Sequence, residues 1–161
     1  MSMGLHDSPQ LSRVAAPASE DTKSRMTLQT AFGKHIMLDM RLCDYERLNS
    51  LENCFTILNT LPERIGMRKI SAPHVFRYEA PNPIDSGITG LTIIAESHIS
   101  LHTFPKKGYA FADIFSCKSF ISDPVIKFFR EYLEFQHFDV FTQNRGYGFA
   151  ERFENLPSPD R

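Results

Sequence analysis

Leu48, Leu51, Cys54, Phe55, Leu58, Leu61 and Ile65 recur at steps that line one face of a helix over residues 48–65. Asn49 or Ser50 is placed to cap this helix, and Pro62 falls near its end. A second stripe, Val125, Phe128, Phe129, Leu133 and Phe135, follows Asp123-Pro124, which reads as an N-cap and a first-turn proline. Shorter runs read as strands at 35–40, 74–78, 90–95, 97–104, 109–117 and 137–142. The run at 90–95 is almost continuously apolar, which suggests burial. The stretch from Pro81 to Gly87 has the residues of a loop, and Pro105-Lys106-Lys107-Gly108 those of a hairpin turn.

This order predicts an α+β fold, a two-layer sandwich with two helices on one face of a mostly antiparallel sheet. The other sheet face then needs cover, which a second copy of the chain supplies at little cost. Residues 1–27 lack periodicity and read as a disordered N-terminal tail, and 155–161 as a flexible C-terminal one. A single domain over 28–154 remains.

Composition narrows the function classes. The formal net charge of -1 gives no global field toward nucleic acid or an anionic membrane. No apolar run is long enough to span a bilayer, and the N-terminus lacks a hydrophobic signal core, so a cytoplasmic protein is expected. Fourteen Phe and no Trp leave phenylalanine to supply most aromatic packing. Cys43, Cys54 and Cys117 form no paired framework; Cys43 and Cys54 read as buried thiols.

The chemistry concentrates at Glu96-Ser97-His98, where one strand ends and the next begins. A serine hydroxyl can attack the preceding carbonyl if that peptide is strained. The resulting ester can eliminate and leave a pyruvoyl group at a new chain start, which makes the chain a candidate self-cleaving proenzyme. Ser97 and His102 stand five apart and would face opposite ways in a flat strand, so a kink or bulge near Ser97 is expected. Other readings stand beside this one. His98, Ser100 and His102 alternate, as on a wet sheet face. His98, His102 and Cys117 are acceptable zinc ligands but lack ligand spacing, so no metal is expected. Cys117 with a histidine base is a further nucleophile candidate.

The run from Glu96 to Pro105, then Gly108-Tyr109 and Asp113-Ile114-Phe115-Ser116-Cys117, resembles the prokaryotic, pyruvoyl-dependent S-adenosylmethionine decarboxylases. Gly33-Lys34-His35 with Cys43-Asp44, and Gly87-Ile88-Thr89-Gly90, extend the resemblance over most of 32–142. It implies cleavage between Glu96 and Ser97, with Ser97 becoming the pyruvoyl cofactor that forms a Schiff base with the substrate. By position it implies that His102 is the processing base, that Thr89 assists it, and that Cys117 is the proton donor of turnover. It places Phe76 and Phe104 against an adenine and Asp39 where the family often has Glu. It also implies a homodimer of cleaved protomers, with the two sheets facing each other and residues of both subunits near each site.

The chain departs from the family in its recognition residues. Phe104-Pro105-Lys106 replaces Trp-Pro-Glu, and the lost acid is one associated with ribose hydroxyls; Lys106 cannot accept a hydrogen bond. The loop between His74 and Gly87 is also longer than usual. The expected activity is decarboxylation of S-adenosylmethionine for spermidine biosynthesis. A pyruvoyl decarboxylase of arginine or ornithine, and a non-catalytic regulatory paralogue, are the alternatives.

Overall fold

The computed structural model describes residues 31–149. The expected tails at 1–27 and 155–161, and the ends of the expected domain at 28–30 and 150–154, lie outside the described residues. The elements in chain order are β1 (Gly33–Arg41), α1 (Tyr45–Leu48), α2 (Leu51–Arg64), β2 (His74–Tyr78), β3 (Gly87–Ile94), β4 (Ser97–Phe104), β5 (Tyr109–Ser116), α3 (Ser122–Leu133) and β6 (His137–Arg145).

The strands form one six-stranded sheet in the order β2-β3-β4-β5-β1-β6, and every neighbouring pair is antiparallel. Leu38, Met40, Ile99, Leu101, Ala112 and Ile114 alternate along their strands and are buried together with Cys54, Ile57, Leu58 and Leu61 of α2 and Val125, Phe129 and Leu133 of α3. One strand face thus packs under two helices, as the alternation requires. Gly90 belongs to this contact: a Cβ there would lie 2.4 Å from Leu58 Cδ1, so the missing side chain lets α2 seat on β3. Thr103 is the buried polar seam. Its hydroxyl accepts from the Ile88 amide at 3.0 Å and donates to the Leu48 carbonyl at 2.9 Å, joining sheet to helical layer.

Several boundaries differ from expectation. Of the helix expected over 48–65, Leu48 closes a separate short helix, α1, and the remainder is α2, capped at Ser50 as the sequence offers. Asn49 ends α1, and the Ser50 hydroxyl caps α2 by accepting from the Asn53 amide at 3.1 Å. Pro62 sits in the last turn of α2. The third helix begins at Ser122, so Asp123 lies in its first turn instead of capping it, and Ile121 holds the cap position without a side-chain bond. The run at 90–95 is buried on the helix side only: Thr89, Leu91 and Ile93 are exposed. The opposite sheet face is open in the single chain and carries Phe76, Leu91, Ile93, Phe111 and Phe141, all exposed.

Candidate active site

Ala95 and Glu96 form a two-residue turn between β3 and β4, with Ile94 paired to Ser97. The strand expected to reach Ala95 therefore stops one residue sooner. Ser97 has φ 151°, outside the range that residues with a Cβ normally adopt. Such a conformation costs on the order of 1–3 kcal/mol and persists only where its surroundings hold it. The holding contacts are visible. The Ala95 amide donates to the Arg68 carbonyl at 2.8 Å, the Arg68 amide to Glu96 Oε2 at 3.3 Å, and the Cys117 amide to the Glu96 carbonyl at 3.1 Å. No bulge occurs: β4 pairs with β5 without a slip from Ser97↔Ser116 to Phe104↔Tyr109. The distortion expected near Ser97 is thus a single backbone dihedral at a hairpin corner.

This corner gathers three of the elements that peptide rearrangement needs. The serine that carries the hydroxyl has a strained backbone φ, an N–H already points at the preceding carbonyl oxygen, where negative charge would develop, and an imidazole is at hand. The imidazole is His98, whose Nδ1 lies 3.0 Å from Ser97 Oγ. From the sequence His98 stands in a polar row and among possible zinc ligands, not as the hydrogen-bond partner of Ser97.

A second group lies apart from the first. Thr89 Oγ1 and His102 Nδ1 are 3.2 Å from each other on the open face. Across the strands the register runs Phe76, Thr89, His102, Phe111, Asp39 and Asp139. Phe104 stands edge-on to Phe111 with ring centroids 5.9 Å apart, and the Lys107 ammonium lies 5.5 Å over the Phe104 ring. Asp39 is two strands from His102, beside Asp139, which pairs with Arg41 at 2.5 Å. Ser97 and His102 are five positions apart in an unbroken strand, so their Cα atoms are separated by about 16 Å at a strand's ~3.3 Å rise. One chain therefore unites Glu96, Ser97, His98 and Cys117, and separately Thr89, His102, Phe76 and Phe104, but not the two groups.

The three cysteines divide as their surroundings dictate. Burial pushes the Cys43 and Cys54 thiols up to about 12, while Cys117 is exposed. Cys117 borders a pocket of about 360 Å³ that is also lined by Lys34, Ser119 and Asn144. The register Ser97, Ser116, Lys34, Asn144 brings this polar row to the end of the sheet beside the hairpin corner. The row was hidden in sequence because its members come from four separate strands. Among the described residues, no group of three or more His, Cys, Asp or Glu side chains is gathered as metal ligands would be.

An antiparallel sheet backed by two helices, with a strained serine at a hairpin corner and its preceding carbonyl held by a cysteine amide, defines an α+β sandwich built around one serine peptide. The chain belongs to the S-adenosylmethionine decarboxylase family, whose pattern matches residues 34–146. It is 32% identical over 116 residues to the S-adenosylmethionine decarboxylase proenzyme of Methanococcus aeolicus, covering 71% of this chain and 93% of that one. It is 30% identical over 128 residues to the proenzyme of Thermodesulfovibrio yellowstonii, covering 79% and 90%. The match to the Prochlorococcus marinus proenzyme is 38% identical over 85 residues and spans 53% of this chain and 63% of that relative's length. The fold resembles the crystal structure of the adenosylmethionine decarboxylase from Aquifex aeolicus, with a TM-score of 0.62 at 24% identity, covering 82% of this chain and 98% of that one.

Proposed function

We propose that this chain is a self-processing, pyruvoyl-dependent decarboxylase of S-adenosylmethionine, releasing CO2 and the decarboxylated sulfonium amine used in spermidine biosynthesis. The observation that carries the reading is the Glu96 carbonyl held at 3.1 Å by the Cys117 amide, with Ser97 at φ 151° beside it. Ser97 Oγ attacks the Glu96 carbonyl carbon, His98 takes the hydroxyl proton, and the Cys117 N–H receives the oxyanion. Collapse with C–N cleavage returns a proton to the Ser97 nitrogen and leaves an ester. A base then removes the Ser97 α-proton, Glu96 departs as a carboxylate, and one water converts the enamine formed at residue 97 to a keto group with loss of ammonia.

His102 is that second base, with its ring oriented by Thr89. At about 16 Å along the strand it does not reach Ser97 of its own chain. We therefore assign the active unit as a homodimer whose open faces meet, so that Thr89 and His102 of one copy serve Ser97 of the other. Phe76 lies opposite Thr89 in the register, and Phe104 is two positions beyond His102, so both aromatic rings travel with this pair toward the neighbouring site and stack on the nucleoside. The pyruvoyl group at residue 97 would supply the electron sink for loss of CO2 from an amine-bearing substrate. The chain's own residues shape that step: Cys117, exposed beside the corner, holds the proton that returns to carbon.

Intact mass of the purified protein, with and without Ser97→Ala, tests processing. Two fragments divided after Glu96 are expected from the natural chain, the second lighter by one ammonia than a serine-started chain, and one unbroken chain from the variant. An unbroken natural chain would support the non-catalytic paralogue, against which the presence of Ser97, His102 and Cys117 argues. Lys106, which cannot accept a hydrogen bond from ribose hydroxyls where the family has an acid, is the observation behind the second reading, an arginine or ornithine decarboxylase. CO2 release from the three labelled substrates separates the two.

A further inference from the structure

The Ala95–Glu96 turn does not hold its own shape. Two-residue hairpin turns that match strand twist put a positive φ on at least one central residue, most often Gly or Asn. Here neither Ala95 nor Glu96 has a positive φ, and the unusual dihedral falls on Ser97. A hairpin left to itself would relax such a residue, so the hold comes from outside it. On one side stand residues 66–70, a strap that leaves the end of α2 and runs along the end of β3. Arg68 brackets the turn through its amide and its carbonyl, Lys69 pairs with Ile94, and the Ile70 amide donates to the Ile93 carbonyl at 3.0 Å.

The strap is fastened to the helical layer. Met67 is buried in the core, and its amide donates to the Pro62 carbonyl at 2.8 Å. Lys69 carries the side-chain anchor: its ammonium donates to the Asn59 carbonyl at 2.6 Å and to Asn59 Oδ1 at 2.7 Å, with Glu63 Oε1 3.6 Å away. That side chain is 21% exposed, so water competes weakly for these bonds. On the other side of the corner is the bend after β5. The Ser116 hydroxyl accepts from the Lys118 amide and donates to the Lys118 carbonyl, both at 2.9 Å, which fixes the bend from which the Cys117 amide points at Glu96. The Lys118 ammonium then crosses to the Gly66 carbonyl at 2.6 Å, at the root of the strap. These contacts close a ring. It runs from the Glu96 carbonyl to Cys117, through Lys118 to Gly66, along the strap to Arg68, and from the Arg68 amide back to Glu96 Oε2.

We propose that Lys69 and Lys118 are positioning residues for self-cleavage. Lys69 anchors the strap to α2, and Lys118 couples the strap to the Cys117 amide, so that the Glu96 carbonyl carbon stays presented to Ser97 Oγ. The step they assist is transfer of the Glu96 acyl group from the Ser97 nitrogen to its oxygen: the C–O bond forms, the C–N bond breaks, and the hydroxyl proton ends on nitrogen. The proposal rests on the self-processing reading and adds to it the residues that hold the peptide in place.

The test follows cleavage of the full-length chain by mass after pulse-labelled cell-free synthesis. Lys69→Met should slow cleavage about tenfold, through loss of two bonds from a charged donor. Lys118→Met should slow it about fivefold, through loss of one, and Lys118→Arg, which keeps a cationic donor, should restore it. Asn53→Ala is the control. It removes two bonds at the opposite end of the same helix, to the Arg47 and Tyr132 carbonyls at 3.0 Å each, and should cleave at the natural rate. Lys118 is exposed, so its variants keep the test decisive where far-ultraviolet circular dichroism shows Lys69→Met unfolded. In a His102→Ala chain, where the ester accumulates, hydroxylamine cuts it, and adding Lys118→Met should lower the rate at which cuttable ester appears. Unslowed ester formation there, natural cleavage rates in the folded lysine variants, or an equal slowing by Asn53→Ala would overturn the proposal while leaving self-processing intact. A natural chain that never cleaves would overturn both.

Discussion

Service of Ser97 by the neighbouring copy's His102 can be tested with two inactive chains. One carries Ser97→Ala and keeps its base; the other carries His102→Ala and keeps its nucleophile. The geometry sets the expectation. An imidazole and a serine reach toward each other by roughly 10 Å from their Cα atoms, hydrogen bond included, whereas the two Cα atoms of one chain lie about 16 Å apart along the unbroken strand. Neither homodimer can complete elimination. In a mixed dimer, the intact Ser97 of one chain meets the intact His102 of the other. Equal co-expression with random pairing places about half of each chain in mixed dimers. About half of the His102→Ala chains, and none of the Ser97→Ala chains, should then carry a fragment that starts with a pyruvoyl group. Differently tagged chains, intact mass and native mass spectrometry read this out. Confirmed mixed dimers in which neither chain is processed, or complete processing of the His102→Ala homodimer, would refute the reasoning.

Thiol alkylation of the native protein should modify Cys117 alone, because burial holds the Cys43 and Cys54 thiols protonated with values of about 12; labelling of all three at equal rates in peptide mapping would contradict this. Replacing Thr103 by Val removes the acceptor for the Ile88 amide and the donor to the Leu48 carbonyl, and should cost about 1–3 kcal/mol in denaturant unfolding. A Cβ at Gly87 would stand 1.8 Å from the Thr103 carbonyl oxygen, so Gly87→Ala should push β3 from β4 and cost about 1–3 kcal/mol or more, seen as a lower denaturation midpoint. A Gly87→Ala chain as stable as the natural one would contradict that packing.

The layers were legible because burial alternates with strand and helix periods. Leu58 and Leu61 fell on the stripe that faces the sheet, and Ile36 and Leu38 on opposite phases from His35 and Met37. The Ser50 cap was legible, but the short helix α1 before it was not: Leu48 and Leu51 keep helical spacing across the cap, so Leu48 joined the stripe of α2. At the candidate site, the unusual serine step was visible as a residue pattern, and its mismatch of facing with His102 was visible from strand parity. The form of the distortion was not, since one dihedral at a turn leaves no periodic trace. Nor was the bond from the Cys117 amide to the Glu96 carbonyl, which depends on the β4–β5 register. The contact of His98 with Ser97 was hidden for a similar reason: it joins adjacent residues at the hairpin corner, where Ser97 has φ 151°, and not positions two apart on one strand face.

The strand order has one more consequence. A cut after Glu96 would divide the sheet so that β1, β2 and β3 belong to one fragment and β4, β5 and β6 to the other, with β1 lying between β5 and β6. The two pieces would be interlocked like clasped fingers, and neither could leave while the sheet stands. Scission would therefore be silent in the native protein yet convert its refolding from a first-order to a second-order process, slowing as the solution is diluted.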